Sequence, residues 1–515
     1  MRKLTILVCL LIAACGRPER DPTTLIIATP GESTNLDPAA FVHTGDLAVI
    51  SETYERLLTQ DMVDGVPTGD FVGELASSWK VSDDGLIYDF ELYEDHYFDD
   101  GTNVDAAAVK ASFERIKEIN RAAAHYFEWI DAIEVTERHS LRVHAKHPFP
   151  AGLAALAYTS SVVMNLAAVP EELSADERNQ WWSEHSAGSG PYRMRSWDRG
   201  ERLVLERNPH YHGHQPYFAA IVFKPIADPS ARRIQLRKGD VDIGLTIAST
   251  NAHYYEDMTG IRLFEFPTLS QPNMWVINTQ RPPFDDPRVR RAIAYGIDYD
   301  KLIDGVLDGR AQRVTTLLMP GVSGHVPDLF AFNYDPDKAQ TLLYEAGFPN
   351  GIDATLTVGA LGPVSETIQS FLAHVGIRIV LESVSSAAFH DRVSSGNFDI
   401  AYSGDYIDFL DPWAILGPLY NSENIGSTNT AHYHNSSVDE LLGTGDQLMS
   451  ADARVKAYAD AQRIIAADLP YIYLFSGSLI FATRSDMSGL DFSPYLGYRM
   501  NLSKLSRQSP VEPSS

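Results

Sequence analysis

Residues 368–402 read IQSFLAHVGIRIVLESVSSAAFHDRVSSGNFDIAY. Ile368, Phe371, Leu372 and Val375 recur at helical spacing, Gly376 stops the helix, and Ile377 to Leu381 is a β-branched run that reads as a strand. The device repeats at once. A helix around Phe389 to Val393 ends at Gly396 and feeds the strand Phe398 to Tyr402. Helix, glycine and strand, twice in succession, predict an α/β unit whose loops at strand ends face a ligand.

The same grammar extends outward. Asp286-Pro287 and Asp335-Pro336 each place an N-cap before a proline at the first helical position. The first helix carries Val289, Ala292, Ile293 and Ile297 on one face. The second carries Ala339, Leu342, Leu343 and Ala346, with Gly347 at the C′ position. Between about 186 and 265, strands at Arg202–Leu205 and Ala220–Phe223 precede a helix from Ser230 to Lys238, stopped by Gly239. From about 60 to 185 the pattern is α+β. Leu86, Tyr88, Phe90 and Leu92 alternate after the turn Asp83-Asp84-Gly85, Asp105 caps a helix bearing Val109, Phe113 and Ile116, and a hairpin crosses Arg138-His139. Leu25 to Ala28 is a buried strand ended by Pro30-Gly31, and the polar end from Ser506 is expected to fray.

The chain has 515 residues, 42 Lys+Arg against 68 Asp+Glu, a net charge of −26 and two Cys. That length suggests about three domains. A chain this acidic repels phosphate backbones, so no nucleic-acid partner is expected. Two Cys exclude a disulfide-stapled scaffold. Arg2 and Lys3 precede an apolar run from Leu4 to Ala14, too short to span a bilayer and ending in small residues, as a secretory signal does. The segment 15–22 then reads as a polar, proline-broken tether.

Catalytic motifs are missing from the sequence. Gly188-Ser189-Gly190-Pro191 has the wrong spacing for a nucleophile elbow, and there is no P-loop, His-Glu-x-x-His or EF-hand. No cofactor and no enzyme activity are expected. His210, His212 and His214 alternate and form the one metal-like cluster, but beside Pro209, Gly213 and Pro216 they read as a solvent loop, with metal binding the weaker reading.

Several further segments carry a family resemblance. They are Thr29-Pro30-Gly31-Glu32 through Leu36-Asp37-Pro38, Tyr54-Glu55-Arg56-Leu57, Glu74 to Trp79, Phe98 to Thr102, Gly188 to Tyr192, Asn208 to Tyr211, Pro283 to Ile293 and Asp408 to Pro412. Together they resemble the bacterial extracellular solute-binding proteins of family 5, the peptide- and nickel-binding components of ABC importers. Ile12-Ala13-Ala14-Cys15 likewise resembles a lipobox, which implies that Cys15 is lipidated and anchors the protein in the cell envelope, facing the periplasm or outer surface.

The resemblance implies a periplasmic-binding-protein-like class II α/β fold: two α/β lobes with a hinge, plus an extra α+β domain. Domain I is then 23–59, 186–265 and 485–505, domain II 60–185 and domain III 266–484, with a signal peptide at 1–14 and a flexible tail at 506–515. Ligand is enclosed between domains I and III as they hinge shut, and the partners are a small-molecule or peptide ligand and the importer's permease subunits, the protein itself being a monomer. Gly404-Asp405-Tyr406-Ile407-Asp408-Phe409-Leu410-Asp411-Pro412 matches the family's Gly-Trp-x-x-Asp-x-x-Asp-Pro pattern. Asp408 falls where the family anchors a peptide's α-ammonium; a solvated loop Asp or helix cap is the weaker reading. Gly404 and Tyr406 offer backbone to the ligand, and Asn35 and Thr44 complete the expected set. Asp411, before Pro412, reads as an N-cap. Asp405 departs from the family's Trp, which adds a carboxylate and predicts preference for a cationic or N-terminally charged ligand. No Arg or Lys lies in this segment; Arg378 and Arg392 are the candidates for a ligand carboxylate. Nickel chelates, haem, opines and oligosaccharides are the alternative ligands. A peptide sensor or folding helper without transport, and a secreted hydrolase, are the alternative classes.

Overall fold

The computed structural model describes residues 21–40, 44–63, 65–404, 409–490 and 500–508. An eleven-stranded sheet runs through two lobes. Its order is Ile377–Ser383, Ile352–Val358, Ile400–Gly404, Ile261–Ile277, Tyr471–Arg484, Ile243–Gly244, Thr24–Thr29, Ala220–Pro225, Arg202–Arg207 and Tyr192–Asp198, with Ala311–Arg313 also paired to Tyr471–Arg484. Thr24–Thr29 pairs in parallel with both Ala220–Pro225 and Ile243–Gly244, and Ile352–Val358 pairs in parallel with both its neighbours. Each lobe is therefore an α/β layer with its own core. Leu25, Ile27, Leu205, Ile221 and Phe481 fill the first; Trp275, Ile293, Leu356, Ile400 and Tyr458 fill the second.

The helices begin where short polar side chains can satisfy orphan backbone donors. Asp286 accepts from the Arg288 amide at 2.8 Å, Asp335 from that of Lys338 at 2.9 Å and Asp105 from that of Ala108 at 2.9 Å. Gly347, Gly376 and Gly396 leave their helices at positive φ, which a side chain would resist.

The strands Ile261–Ile277 and Tyr471–Arg484 are the only two among the described residues that belong to both halves of the sheet. Their ladder breaks in the middle. Pro267 faces Ser478 and Pro272 faces Ser476, so 268–271 stand opposite Gly477 alone. Two prolines without amide donors cannot sustain a ladder there. In its place the Thr268 hydroxyl donates to the Gly477 carbonyl at 2.8 Å. This break lies between the two cores.

A third, lateral unit is a four-stranded antiparallel sheet, in the order Ala76–Val81, Ile87–Leu92, Ser140–Ala145 and Ile130–Glu137, covered by the helix Ala106–Ile119. Tyr88, Phe90, Phe113, Phe127 and Phe149 form its core.

One expectation is corrected here. The chain does not fray at Ser506: Ser506–Arg507 pairs with Met487–Ser488, and Arg507 donates to Asp242 at 2.7 Å and to Asp486 at 2.9 Å. Two carboxylates hold that guanidinium, so the polar composition there marks an ion-pair site. The His210–His214 segment is the exposed loop expected from the sequence, anchored at its centre. His212 lies 2.8 Å from Glu55, and its ring stacks on His96 at 3.5 Å.

Candidate functional site

The first lobe presents the carboxyl ends of its parallel strands Thr24–Thr29, Ala220–Pro225 and Ile243–Gly244 at one edge, where open α/β sheets bind ligands. The chain leaving the first of these strands is tied down locally. Thr29 donates its hydroxyl to the Gly31 carbonyl at 2.7 Å, and the amide of Thr34 donates to the buried Asp46 at 2.8 Å. A cavity of about 310 Å³ opens beside Gly31, Glu32 and Ser33, walled by Ile27, Leu203, Phe223 and Leu479. The helix Thr44–Thr53 covers it with Gly45 and Ala48.

The second lobe contributes the end of Ile400–Gly404. Gly404 pairs with Asn273, one residue from the ladder break, and the Tyr402 hydroxyl donates to Asn273 Oδ1 at 2.8 Å. A second cavity, of about 330 Å³, is lined there by Pro272, Ser403, Phe389 and Tyr473, and by His125 and Tyr126 of the lateral unit. Both lobes thus bring strand ends and cavities toward the break in the two connecting strands.

Asp405, Tyr406 and Asp408 lie outside the described residues, as does the side chain of Thr44, whose backbone opens the helix Thr44–Thr53. The residues that follow, from Phe409, are packed in place. Phe409 is buried against Tyr126 with ring centroids 4.9 Å apart, and Trp413 packs edge-on against Phe149 at 5.1 Å. Asp411 is an N-cap, accepting from the Trp413 amide at 2.8 Å, and Arg454 grips both its oxygens at 2.6 and 2.8 Å. Nearby Asp446 is pushed up to about 7 by burial, although Tyr458 donates to it at 2.5 Å.

Asn35 uses both ends of its amide on the local turn: Oδ1 accepts from the Asp37 amide at 2.9 Å, and Nδ2 donates to the Ala40 carbonyl at 3.1 Å. Arg378 is paired with Asp353 and Arg392 with Glu382 on the surface, each satisfied by a carboxylate of its own lobe. Among the described residues no group of three or more His, Cys, Asp or Glu is placed to hold a metal ion. His212 is engaged by Glu55 and His96, as above, while His210 sits over Gly101, whose missing Cβ makes room for the ring. Among the same residues no helix is long and apolar enough to cross a membrane. The cavity of the first lobe and the clamp of Arg454 on Asp411 escaped the reading of the sequence. Gly45 and Ala48, small residues on a covering helix, were the available signal for the cavity.

Comparison with known proteins gives the same picture. Residues 70–427 match the family model "Bacterial extracellular solute-binding proteins, family 5 Middle". The chain is 31% identical over 497 residues to the probable D,D-dipeptide-binding periplasmic protein DdpA of Escherichia coli strain K12, covering 94% of each chain. It is 27% identical over 502 residues to the glutathione-binding protein GsiB of Escherichia coli O157:H7, covering 95% of each. The fold superposes, with a TM-score of 0.81 and 24% identity, on the ABC transporter-associated periplasmic binding protein DppA of Helicobacter pylori in complex with the peptide STSA, covering 94% of this chain and 98% of that one. The architecture is accordingly the class II periplasmic-binding-protein fold, and the chain belongs to the bacterial extracellular solute-binding proteins of family 5, which work in the cell envelope with ABC importers.

Proposed function

We propose that the protein captures a short peptide with a free α-ammonium in the crevice between its two lobes and delivers it intact to the permease of an ABC importer. The hinge carries this reading. Among the described residues two lobes with separate cores share only two strands, whose ladder breaks between Pro267 and Pro272, and both direct strand ends toward that break. Closing such lobes over a solute excludes water and strengthens each buried polar contact. Domain I is 23–59, 186–265 and 485–505, domain II 60–185 and domain III 266–484. Asp408 anchors the ammonium, with Asp405 adding charge and Gly404 and Tyr406 offering backbone. A buried carboxylate left unpaired is costly, so the site rejects ligands that lack the cation. Lipid on Cys15 holds the monomer at the membrane through the 15–22 tether. The names of the relatives support a peptide, since they are binders of a D,D-dipeptide and of glutathione.

The test is thermal melting of the purified protein with L,L-dipeptides, D,D-dipeptides and glutathione, each with a free and an N-acetylated terminus. A ligand at 100 times its Kd adds about 2.7 kcal/mol of stability. Stabilisation by free but not acetylated peptides is expected, and Asp408→Asn should abolish it. Equal shifts with both overturn the ammonium anchor. No shift with any peptide overturns the peptide reading in favour of metal chelates, haem, opines or sugars.

A further inference from the structure

Resting on the reading of a peptide ligand, but separable from it, is the question of what the cavity in the first lobe is for. Its walls are Ile27, Leu203, Phe223 and Leu479, from neighbouring strands on one face of the sheet. The helix over this face supplies Gly45, where an added Cβ would meet nothing within 4 Å, and Ala48 with a single methyl. Two large residues at those positions would have filled the space. The void of about 310 Å³ is at the lower end of the range of small-molecule pockets, and apolar cavities of about half that size bind benzene.

The mouth is formed by Gly31 to Ser33 and Thr246, at the strand ends that face the crevice. Charges at the mouth are already engaged. Glu32 accepts from the Trp197 indole at 3.0 Å and from the Gly200 amide at 3.1 Å, and Arg202 donates to Asp198 at 2.9 Å. A charged ligand side chain seated among Ile27, Leu203, Phe223 and Leu479 would lose its water and find no partner on those walls, whereas an apolar one would lose nothing. We propose that this cavity is the subsite for one apolar side chain, branched aliphatic or aromatic, of the captured solute. The ligand is then charged at its terminus and apolar at one residue, each end read by a different lobe.

Two measurements test this on the purified protein and on the variants Ala48→Leu and Gly45→Leu, which fill the cavity from the helix. The first is calorimetric titration with peptides that differ only in one residue: glycine, aspartate, leucine or phenylalanine. Leucine or phenylalanine should bind roughly 10- to 100-fold tighter than glycine, and both variants should bring that ratio toward one. An unchanged ratio in variants that fold and melt higher overturns the proposal and makes the cavity a packing void. The second is the fluorescence of N-phenylnaphthylamine, which depends on no peptide. Should no peptide bind, the peptide reading falls alone. Enhancement by the wild type that both variants abolish then upholds the apolar subsite, and absent or variant-independent enhancement overturns it.

Discussion

The first lobe makes two joints, and they are built in opposite ways. Toward the lateral unit it is fastened by buried charge and close backbone contact. Arg115 donates to both oxygens of Asp37 at 2.7 Å, with side chains 10% and 3% exposed, and lies over the Trp182 ring at 4.9 Å. Backbone hydrogen bonds cross as well: the Asp99 amide donates to the Gly188 carbonyl and the Val163 amide to the Glu55 carbonyl, each at 2.9 Å. Toward the second lobe there are two strands and a gap in their ladder. A joint with directional, desolvated contacts has one geometry; a ladder interrupted by prolines has several of similar energy. The lateral unit is therefore fastened to the first lobe by charge and backbone, and it meets the second through the apolar contacts of Phe409 and Trp413 with Tyr126 and Phe149; the place where the two connecting strands can bend is 268–271 and Gly477.

The strongest way to break this comparison is at Arg115. Arg115→Met leaves Asp37 buried with no cation, and the loss should be about 3–5 kcal/mol, read as a lower midpoint in urea unfolding. Adding Asp37→Asn removes the stranded charge and should recover much of it. A loss below about 1 kcal/mol would class the pair with exposed ion pairs such as Arg378–Asp353, and the rigid joint would need another cause.

A smaller, pH-dependent effect is expected from the stacked imidazoles at the same joint. His96 is buried and held below its ordinary value of 6.5 by burial and by His212, although Asp95 lies 3.2 Å away. Burial also opposes charge on His212, but the hydrogen bond and charge of Glu55 prevail and raise it; burial raises Glu55 in turn. A base whose folded value is lowered binds fewer protons in the native state, so His96 removes stability as pH falls through about 6.5. His96→Phe keeps the stack and removes the titration. Its stability relative to wild type should rise between about pH 7.5 and about pH 5.5, followed by urea unfolding; a parallel pH profile for the two proteins would show that His96 protonates freely in the folded joint.

The contrast between joints also separates what could be read from the chain from what could not. The caps at Asp105, Asp286, Asp335 and Asp411 were legible because a cap and the amide that donates to it lie within three residues. The α/β rhythm from Ile368 to Tyr402 was legible for the same reason, since helical spacing and a stop glycine are local. Arg454 on Asp411, His212 on His96 and Arg507 on Asp242 join residues far apart in the chain, and nothing in either local segment names the partner. Ser506 and Arg507 misled on composition, because polar residues fray only when no opposite charge waits for them. The cavity was hidden differently: it is made by side chains that Gly45 and Ala48 lack, and hydrophobic patterning counts only those present.

The smallest predicted effect bears on where the second joint bends. Gly477 stands alone opposite 268–271, its backbone is outside the left-handed region, and a Cβ there would meet nothing within 4 Å. Gly477→Ala should therefore stabilise the protein by about 0.4–1 kcal/mol, through loss of freedom in the unfolded chain. Peptide affinity should stay within about twofold, because the residues of 268–271 can take up the dihedral change that closure needs. A stability gain accompanied by a fall in affinity of about tenfold or more would reverse the assignment. The bend would then reside in the φ and ψ of Gly477 itself, and the proline-flanked segment opposite would be the fixed side of the hinge.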